Sequence, residues 1–299
     1  MKLENARLSV TFAGCGEVDT QRFDSTAIVT GVILDGKYEF CVPEQVLSHR
    51  KTTNGVGLCG EFVLDGPAEE AKAGEWFVKP GVGLLQQPED NLPYNMWRRY
   101  EEKPFPVTAE LSGNTALFRQ RCTVRNGWGL DIEKRFTLED NRLILDYFVT
   151  NAGEKSCLLK EYQHNFVALA GAYTQKGYRL SMPCNGKTAE FTQGRVRFLS
   201  TGEAAEDVLR AEDTDVIWQK ALDEQVLYHR SETVLPDAPR YWKLSLEGSP
   251  VTMTEETDFT PSRIDVWAPE HCISAEYYQT VSIAPGETAH WRRTWSFED

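Results

Sequence analysis

No run of the 299-residue chain approaches the roughly 20 apolar residues that a membrane span requires. The first ten residues carry Glu4, Asn5 and Arg7 and so lack the apolar core of a secretion signal. The expectation is a soluble, cytoplasmic protein with no membrane partner. Paired cysteines are missing as well: the seven cysteines are odd in number, scattered and never spaced CxxC, which argues against a disulfide framework or a thiolate zinc site. They read as reduced thiols. Positive charge is scarce, with 32 basic against 45 acidic residues and a formal charge of -13, so no basic stripe is present on which nucleic acid would lie. Nucleic acid is excluded as a partner on that ground. Among the five histidines there is no HExxH and no His/Cys cluster, and there is no GxSxG elbow. No metal and no cofactor is expected, and serine-based hydrolysis has little support.

What the chain does contain is alternation. Leu130, Ile132, Phe136 and Leu138 alternate with Asp131, Glu133, Arg135 and Thr137, and Leu143, Leu145, Tyr147 and Val149 repeat the pattern after Glu139-Asp140-Asn141. Period-2 runs separated by turn residues predict successive antiparallel strands. Further strands are expected over Leu158 to Leu169, Gly194 to Leu199, Tyr241 to Leu246, Ile264 to Trp267, Tyr277 to Ile283 and His290 to Phe297. One brief helix is expected within Gly202 to Gln225, where Ala204, Val208, Leu209 and Ile217 recur roughly at helical spacing. The prediction is an all-β protein: one large antiparallel sandwich domain over residues 1–299, with few short helices.

Two motifs have plain alternatives. Gly55-Val56-Gly57-Leu58-Cys59-Gly60 matches the dinucleotide pattern GxGxxG, but no apolar strand enters it and no helix pattern leaves it, so the glycines are read as serving backbone conformation. His164 lies on one strand face with Tyr162 and Phe166. Flanking aromatics suit a packed structural histidine as well as a catalyst, and spacing alone leaves both roles open. Trp76, Trp97, Trp128, Trp267, Trp291 and Trp295 suit either sugar stacking or core packing.

Three segments taken together resemble the galactose mutarotase-like (aldose 1-epimerase) superfamily over most of the chain, from about residue 24 onward. They are Gly57-Leu58-Cys59-Gly60-Glu61-Phe62 with Gly74 to Leu85; His164-Asn165-Phe166; and Asp265-Val266-Trp267-Ala268-Pro269 with Ile273 to Glu276, Pro285-Gly286-Glu287 and Trp295. The resemblance implies the family's β-sandwich ("supersandwich") and an isomerase that interconverts sugar anomers, with Glu276 as base at the anomeric hydroxyl and His164 as acid at the ring oxygen. It further implies Lys79, Trp267, Asn165 and Glu61 as sugar-binding residues. Lys79, Arg98 and Arg99 occupy the segment where relatives bind sugar, yet the chain is acidic overall, so a free aldose is expected in preference to a phosphosugar. Two other readings stand beside this one: a non-catalytic carbohydrate-binding or regulatory member of the same fold, and a hydrolase or lyase built on it.

Overall fold

The alternating runs form a hairpin of two ten-residue strands, Leu130–Glu139 and Arg142–Asn151, paired from Leu130↔Asn151 to Glu139↔Arg142. Asp140, with φ of 54°, turns the chain between them. The computed structural model describes residues 1–14, 16–46, 51–182, 197–198, 203, 205, 207–212, 215–222, 226–230 and 240–299. Every strand pairing among them is antiparallel, and they build two large sheets that do not close into a barrel, with a three-stranded sheet at one side. The protein is an all-β sandwich.

The first large sheet runs in the order Lys2–Glu4, Leu8–Ala13, Ile28–Leu34, Leu58–Leu64, Cys157–Asn165, Ser274–Ile283, Arg263–Ala268, Leu227–Arg230 and Arg197–Phe198, with Tyr38–Glu39 paired to Ile28–Leu34. The second contains Leu209–Glu212, Asp215–Trp218, Tyr178–Ser181, Tyr241–Leu246, Thr252–Thr257 and Thr288–Glu298, then the hairpin above, Thr115–Gln120 and Val107–Ser112. Trp76–Lys79, Gly83–Gln86 and Glu102–Pro104 make the small sheet. Aromatic rings lock the two large sheets face to face: Phe12 meets Phe136 at 4.8 Å, Phe40 meets Phe297 at 4.8 Å and Phe62 meets Tyr147 at 5.8 Å.

Among the described residues the helix expected within Gly202 to Gln225 does not form. The described residues there include two paired strands, Leu209–Glu212 and Asp215–Trp218, while 202, 204, 206, 213–214 and 223–225 lie outside the described residues. Val216, Ile217 and Trp218 are all buried on the second of these strands, and β-branched and aromatic side chains favour that outcome. The helices described are one turn at Pro67–Glu70 and a 3-10 turn at Leu169–Gly171, the latter ending the run expected as a strand. Of the strand expected over Gly194 to Leu199, residues 197–198 are strand and the remainder lie outside the described residues. The glycines of the GxGxxG match do serve the backbone. Gly57 has φ of 56°, a Cβ on Gly55 would sit 2.2 Å from the Phe166 ring, and the segment runs into the Leu58–Leu64 strand rather than a helix.

A buried ionic network joins the sheets. Arg293, fully buried on Thr288–Glu298, gives its guanidinium to Glu161 at 2.7 Å and to Glu255 at 2.6 Å, and to the Tyr277 carbonyl at 2.7 Å. Asn165 and Trp242 also donate to Glu255, at 2.9 and 3.0 Å, and Trp291 donates to Glu161 at 3.1 Å. Burial and the neighbouring Glu161 nonetheless hold the Glu255 carboxyl above its ordinary range. Removing one partner of such a network strands a buried charge, which costs about 3–5 kcal/mol. Arg293→Met should therefore lower the unfolding free energy by that amount in urea titrations, and a loss under about 1 kcal/mol would show the network to be dispensable.

Candidate active site

On the Cys157–Asn165 strand, Glu161, Gln163 and Asn165 face Arg293 and its partners in the core, so Tyr162 and His164 face the other way. Strand pairing then fixes their neighbours. Tyr162 lies opposite Glu61 and His164 opposite Cys59 on one side. On the other side the pairing with Ser274–Ile283 runs to Glu161↔Gln279, and the same register carried onward sets His164 against Glu276 and Tyr162 against Tyr278. Across the next strand Glu276 opposes Asp265 and Tyr278 opposes Arg263. Adjacent rows of one sheet face are thus polar, and they line a cleft of about 910 Å³.

At the floor of the cleft His164 Nε2 lies 3.3 Å from Glu276 Oε1, and both side chains are buried. The imidazole stacks on Phe166 with centroids 4.0 Å apart, and Trp267 and Phe23 meet it edge-on at 5.0 and 5.8 Å. Burial holds the histidine well below its ordinary value, and repulsion from the Arg22 guanidinium adds to the effect. Glu276 is pushed up to about 8 by burial and by the Asp265 carboxylate, against the pull of Arg22 and Arg263. At neutral pH the pair therefore holds one proton, on the glutamate, and its transfer across the contact yields carboxylate and imidazolium.

A second layer holds these groups. Arg22 reaches in from the segment before Ile28–Leu34, donating to Glu61 Oε2 at 2.6 Å, the Tyr162 hydroxyl at 2.7 Å and Thr53 Oγ1 at 3.3 Å. Tyr162 donates to Glu61 at 2.5 Å and stacks on Tyr278 with centroids 4.4 Å apart. Burial alone would raise the Glu61 carboxyl, but Arg22 and Lys79 more than offset it and hold the group below its ordinary value. Arg263 grips Asp265, to which Tyr228 also donates at 3.0 Å.

Of the residues expected at the site, the structure brings His164, Glu276, Trp267 and Glu61 to the cleft. Lys79 and Asn165 are not brought there. Lys79 is buried behind Glu61, its ammonium 3.3 Å from that carboxylate and donating to the Phe62 carbonyl at 2.7 Å, so it positions Glu61. Asn165 follows His164 directly and so points to the opposite face, where its amide donates to Glu255 and to the Ala275 carbonyl, both at 2.9 Å. Sequence reasoning missed Arg22, Tyr162, Tyr278, Arg263 and Asp265 as cleft residues. Period-2 spacing from His164 and Glu276 points to the tyrosines; Arg22 lies outside any strand and carries no such signal. Among the described residues no three His, Cys, Asp or Glu side chains converge to hold a metal ion.

No protein-family model matches the chain, and no curated protein matches it in sequence. Solved structures do match in shape. The Slr1438 protein of Synechocystis sp. PCC 6803 aligns at 10% identity with a TM-score of 0.60, covering 100% of this chain and 95% of its own. A galactose mutarotase-like protein of Lactobacillus casei aligns at 14% identity with a TM-score of 0.57, over 100% and 99%. The GalM/aldose epimerase homologue of C. elegans aligns at 12% identity with a TM-score of 0.53, over 100% and 98%. The chain has the galactose mutarotase-like fold. At these identities the likeness is one of fold, and the chemistry of the cleft rests on this chain's own residues.

In this galactose mutarotase-like sheet the shifted glutamate has a stability consequence. An unfolded glutamate titrates near 4.5, whereas folded Glu276 keeps its proton to about 8. Between pH 6.5 and 8 the folded state therefore binds more protons, and stability falls as pH rises, by at most about 1.4 kcal/mol per pH unit. His164, held below 6.5, acts in the opposite sense only below that value, where stability rises with pH. Glu276→Gln removes the first slope. In urea titrations its stability relative to wild type should improve steadily from pH 6.5 to 8; a constant difference would mean that Glu276 ionises normally.

Proposed function

We propose that the protein is an aldose 1-epimerase-like isomerase, exchanging the anomers of a sugar with His164 and Glu276 as the acid/base pair. The observation that carries this reading is the 3.3 Å contact between two buried, oppositely shifted groups at the floor of a polar and aromatic cleft. The anomeric hydroxyl and the ring oxygen are bonded to the same carbon, so the base and the acid must converge on neighbouring points. Proton transfer from Glu276 to His164 readies the pair. Glu276 takes the proton of the anomeric hydroxyl, the bond from the anomeric carbon to the ring oxygen breaks, and His164 gives its proton to that oxygen. Rotation of the open-chain aldehyde exposes its other face. Reclosure returns the proton from Glu276 to the carbonyl oxygen and takes the ring hydroxyl's proton back to His164, with nothing consumed.

A free aldose fits the charges of the cleft better than a phosphosugar. The guanidinium groups that enter it are already countered, Arg22 by Glu61 and Arg263 by Asp265, Lys160 at its rim is paired with Asp65 at 3.1 Å, and Lys51 shares the lining with the Glu44 carboxylate. In calorimetric titrations glucose 6-phosphate should bind no more tightly than the best neutral hexose; much tighter binding would reverse this preference.

The mechanism is tested by polarimetry on a freshly dissolved pure anomer. Each proton-transfer group is worth about 10² to 10⁴ in rate, so Glu276→Gln and His164→Gln should each lower kcat by at least about a hundredfold while sugar binding weakens far less. If both variants keep full activity, the site assignment fails. If wild type accelerates no aldose but binds one, the protein is a carbohydrate-binding member of the fold.

A further inference from the structure

The cleft is larger than one sugar ring needs. Its volume of about 910 Å³ is in the range that encloses a drug-sized ligand, well beyond a single pyranose. Beside it lies a pocket of about 300 Å³ that shares Arg22, Met96 and Trp97 with it, so the two form one continuous depression. His164 and Glu276 lie buried at its floor, whereas Trp97 and Met96 stand at its rim, 49% and 39% exposed.

The loop that displays these two side chains is held firmly. Tyr94 and Tyr100 stack with centroids 5.6 Å apart and both meet Phe77 edge-on. Gln21 donates to the Tyr100 carbonyl at 2.9 Å and accepts from its backbone N–H at 2.8 Å, while the Tyr94 hydroxyl donates to the Gln21 carbonyl at 3.2 Å. The Asn95 N–H donates to the Tyr100 hydroxyl at 2.8 Å. An anchored loop that leaves adjacent methionine and tryptophan side chains in water presents a preorganised apolar surface. Facing it in the side pocket are polar groups, Thr52, Asn54, Arg98 and Arg99, and the two arginines are countered by Asp90 at 2.7 Å and Asp19 at 2.6 Å. An aromatic face beside hydroxyl and amide groups, with cationic charge already neutralised, suits a ligand of C–H faces and hydroxyls rather than an anion.

We propose that the substrate is a neutral disaccharide or longer saccharide, whose reducing-end ring enters at His164 and Glu276 and whose next ring lies against Trp97 in the side pocket. This rests on the anomer-exchange reading for what happens at the floor, but the Trp97 subsite is a claim about binding. The test compares mutarotation of maltose, cellobiose and lactose with that of glucose and galactose. Wild type should show kcat/KM at least about tenfold higher on one of the disaccharides than on either hexose. Trp97→Ala should lower kcat/KM on that disaccharide about tenfold more than on its hexose, chiefly through KM, the equivalent of about 1.4 kcal/mol of lost stacking. Trp97→Phe, which keeps an aromatic face, should recover most of the loss, and melting curves of both variants should overlay that of wild type because the side chain is exposed. Equal rates on disaccharides and hexoses, or a Trp97→Ala loss of the same size on both, would overturn the subsite while leaving anomer exchange intact. If wild type turns over no sugar, saturation-transfer NMR with the same five sugars decides. A disaccharide preference abolished by Trp97→Ala upholds the subsite and refutes the anomer exchange, whereas no preference overturns the subsite too.

Discussion

The buried guanidinium of Arg293 fixes which face of the Cys157–Asn165 strand meets water. It needs Glu161 from one sheet and Glu255 from the other, and with them come Gln163 and Asn165, which share the inward face. Because strand side chains alternate strictly, that requirement sends Tyr162 and His164 outward. A one-residue slip would turn His164 towards Arg293 and Glu161 towards the cleft, leaving a cation without its carboxylate. The ionic network therefore acts as a register lock, and the position of the candidate acid/base pair follows from it. His164 and Glu276 are 112 positions apart in sequence, yet cross-strand register alone brings them into contact.

Behind the other wall of the cleft a parallel arrangement operates with the charges reversed. Glu61 is the buried anion there, held between Arg22 and Lys79 and bonded by Tyr162. Its carboxylate holds Arg22 close enough to His164 for the guanidinium to disfavour an imidazolium, while on the far side Asp265 disfavours a Glu276 carboxylate. Both effects work together with burial. They push the two partners towards a shared neutral state with a single proton, which is the composition an acid/base couple needs if it is to give and take one proton in the same event.

The strands were legible wherever one face is wet and the other dry, as in Leu130–Glu139, because burial imposes period 2 on the residue types. The helix expected within Gly202 to Gln225 was a failure of the same reasoning: few apolar residues among many acids give a period too weak to separate 3.6 from 2, and tertiary pairing decided for strand. At the site, His164 and Glu276 came from resemblance rather than from spacing. The resemblance implies Asn165 at the sugar, although in a strand the residue next to His164 points to the opposite face. Lys79 is implied by the same resemblance, but the fold uses its ammonium on Glu61. Arg22 had no legible signal, since a loop residue's reach depends on where the fold carries the loop.

Several buried polar atoms of the core have no hydrogen-bond partner among the described residues, Asn165 Oδ1, His271 Nδ1 and the Trp218 and Trp295 indole nitrogens among them, and one such atom lies at the site. His164 Nδ1 is buried with no hydrogen-bond partner among the described residues, whereas the carboxylates around it are gripped by two or more donors each. An unmet buried nitrogen costs about 1–3 kcal/mol, and a histidine serving only to pack would be expected to have that nitrogen bonded to a carbonyl or hydroxyl. The ring is instead held by aromatic contacts, stacked on Phe166 and edged by Trp267 and Phe23. Such contacts fix the ring's orientation, and a protonated Glu276 facing Nε2 at 3.3 Å leaves the ring's own proton on Nδ1, so Nε2 is bare and takes the second proton when Glu276 releases it. Oriented by rings and facing Glu276 through Nε2 alone, the imidazole has its one polar contact with the group with which a proton-transfer residue would exchange its proton.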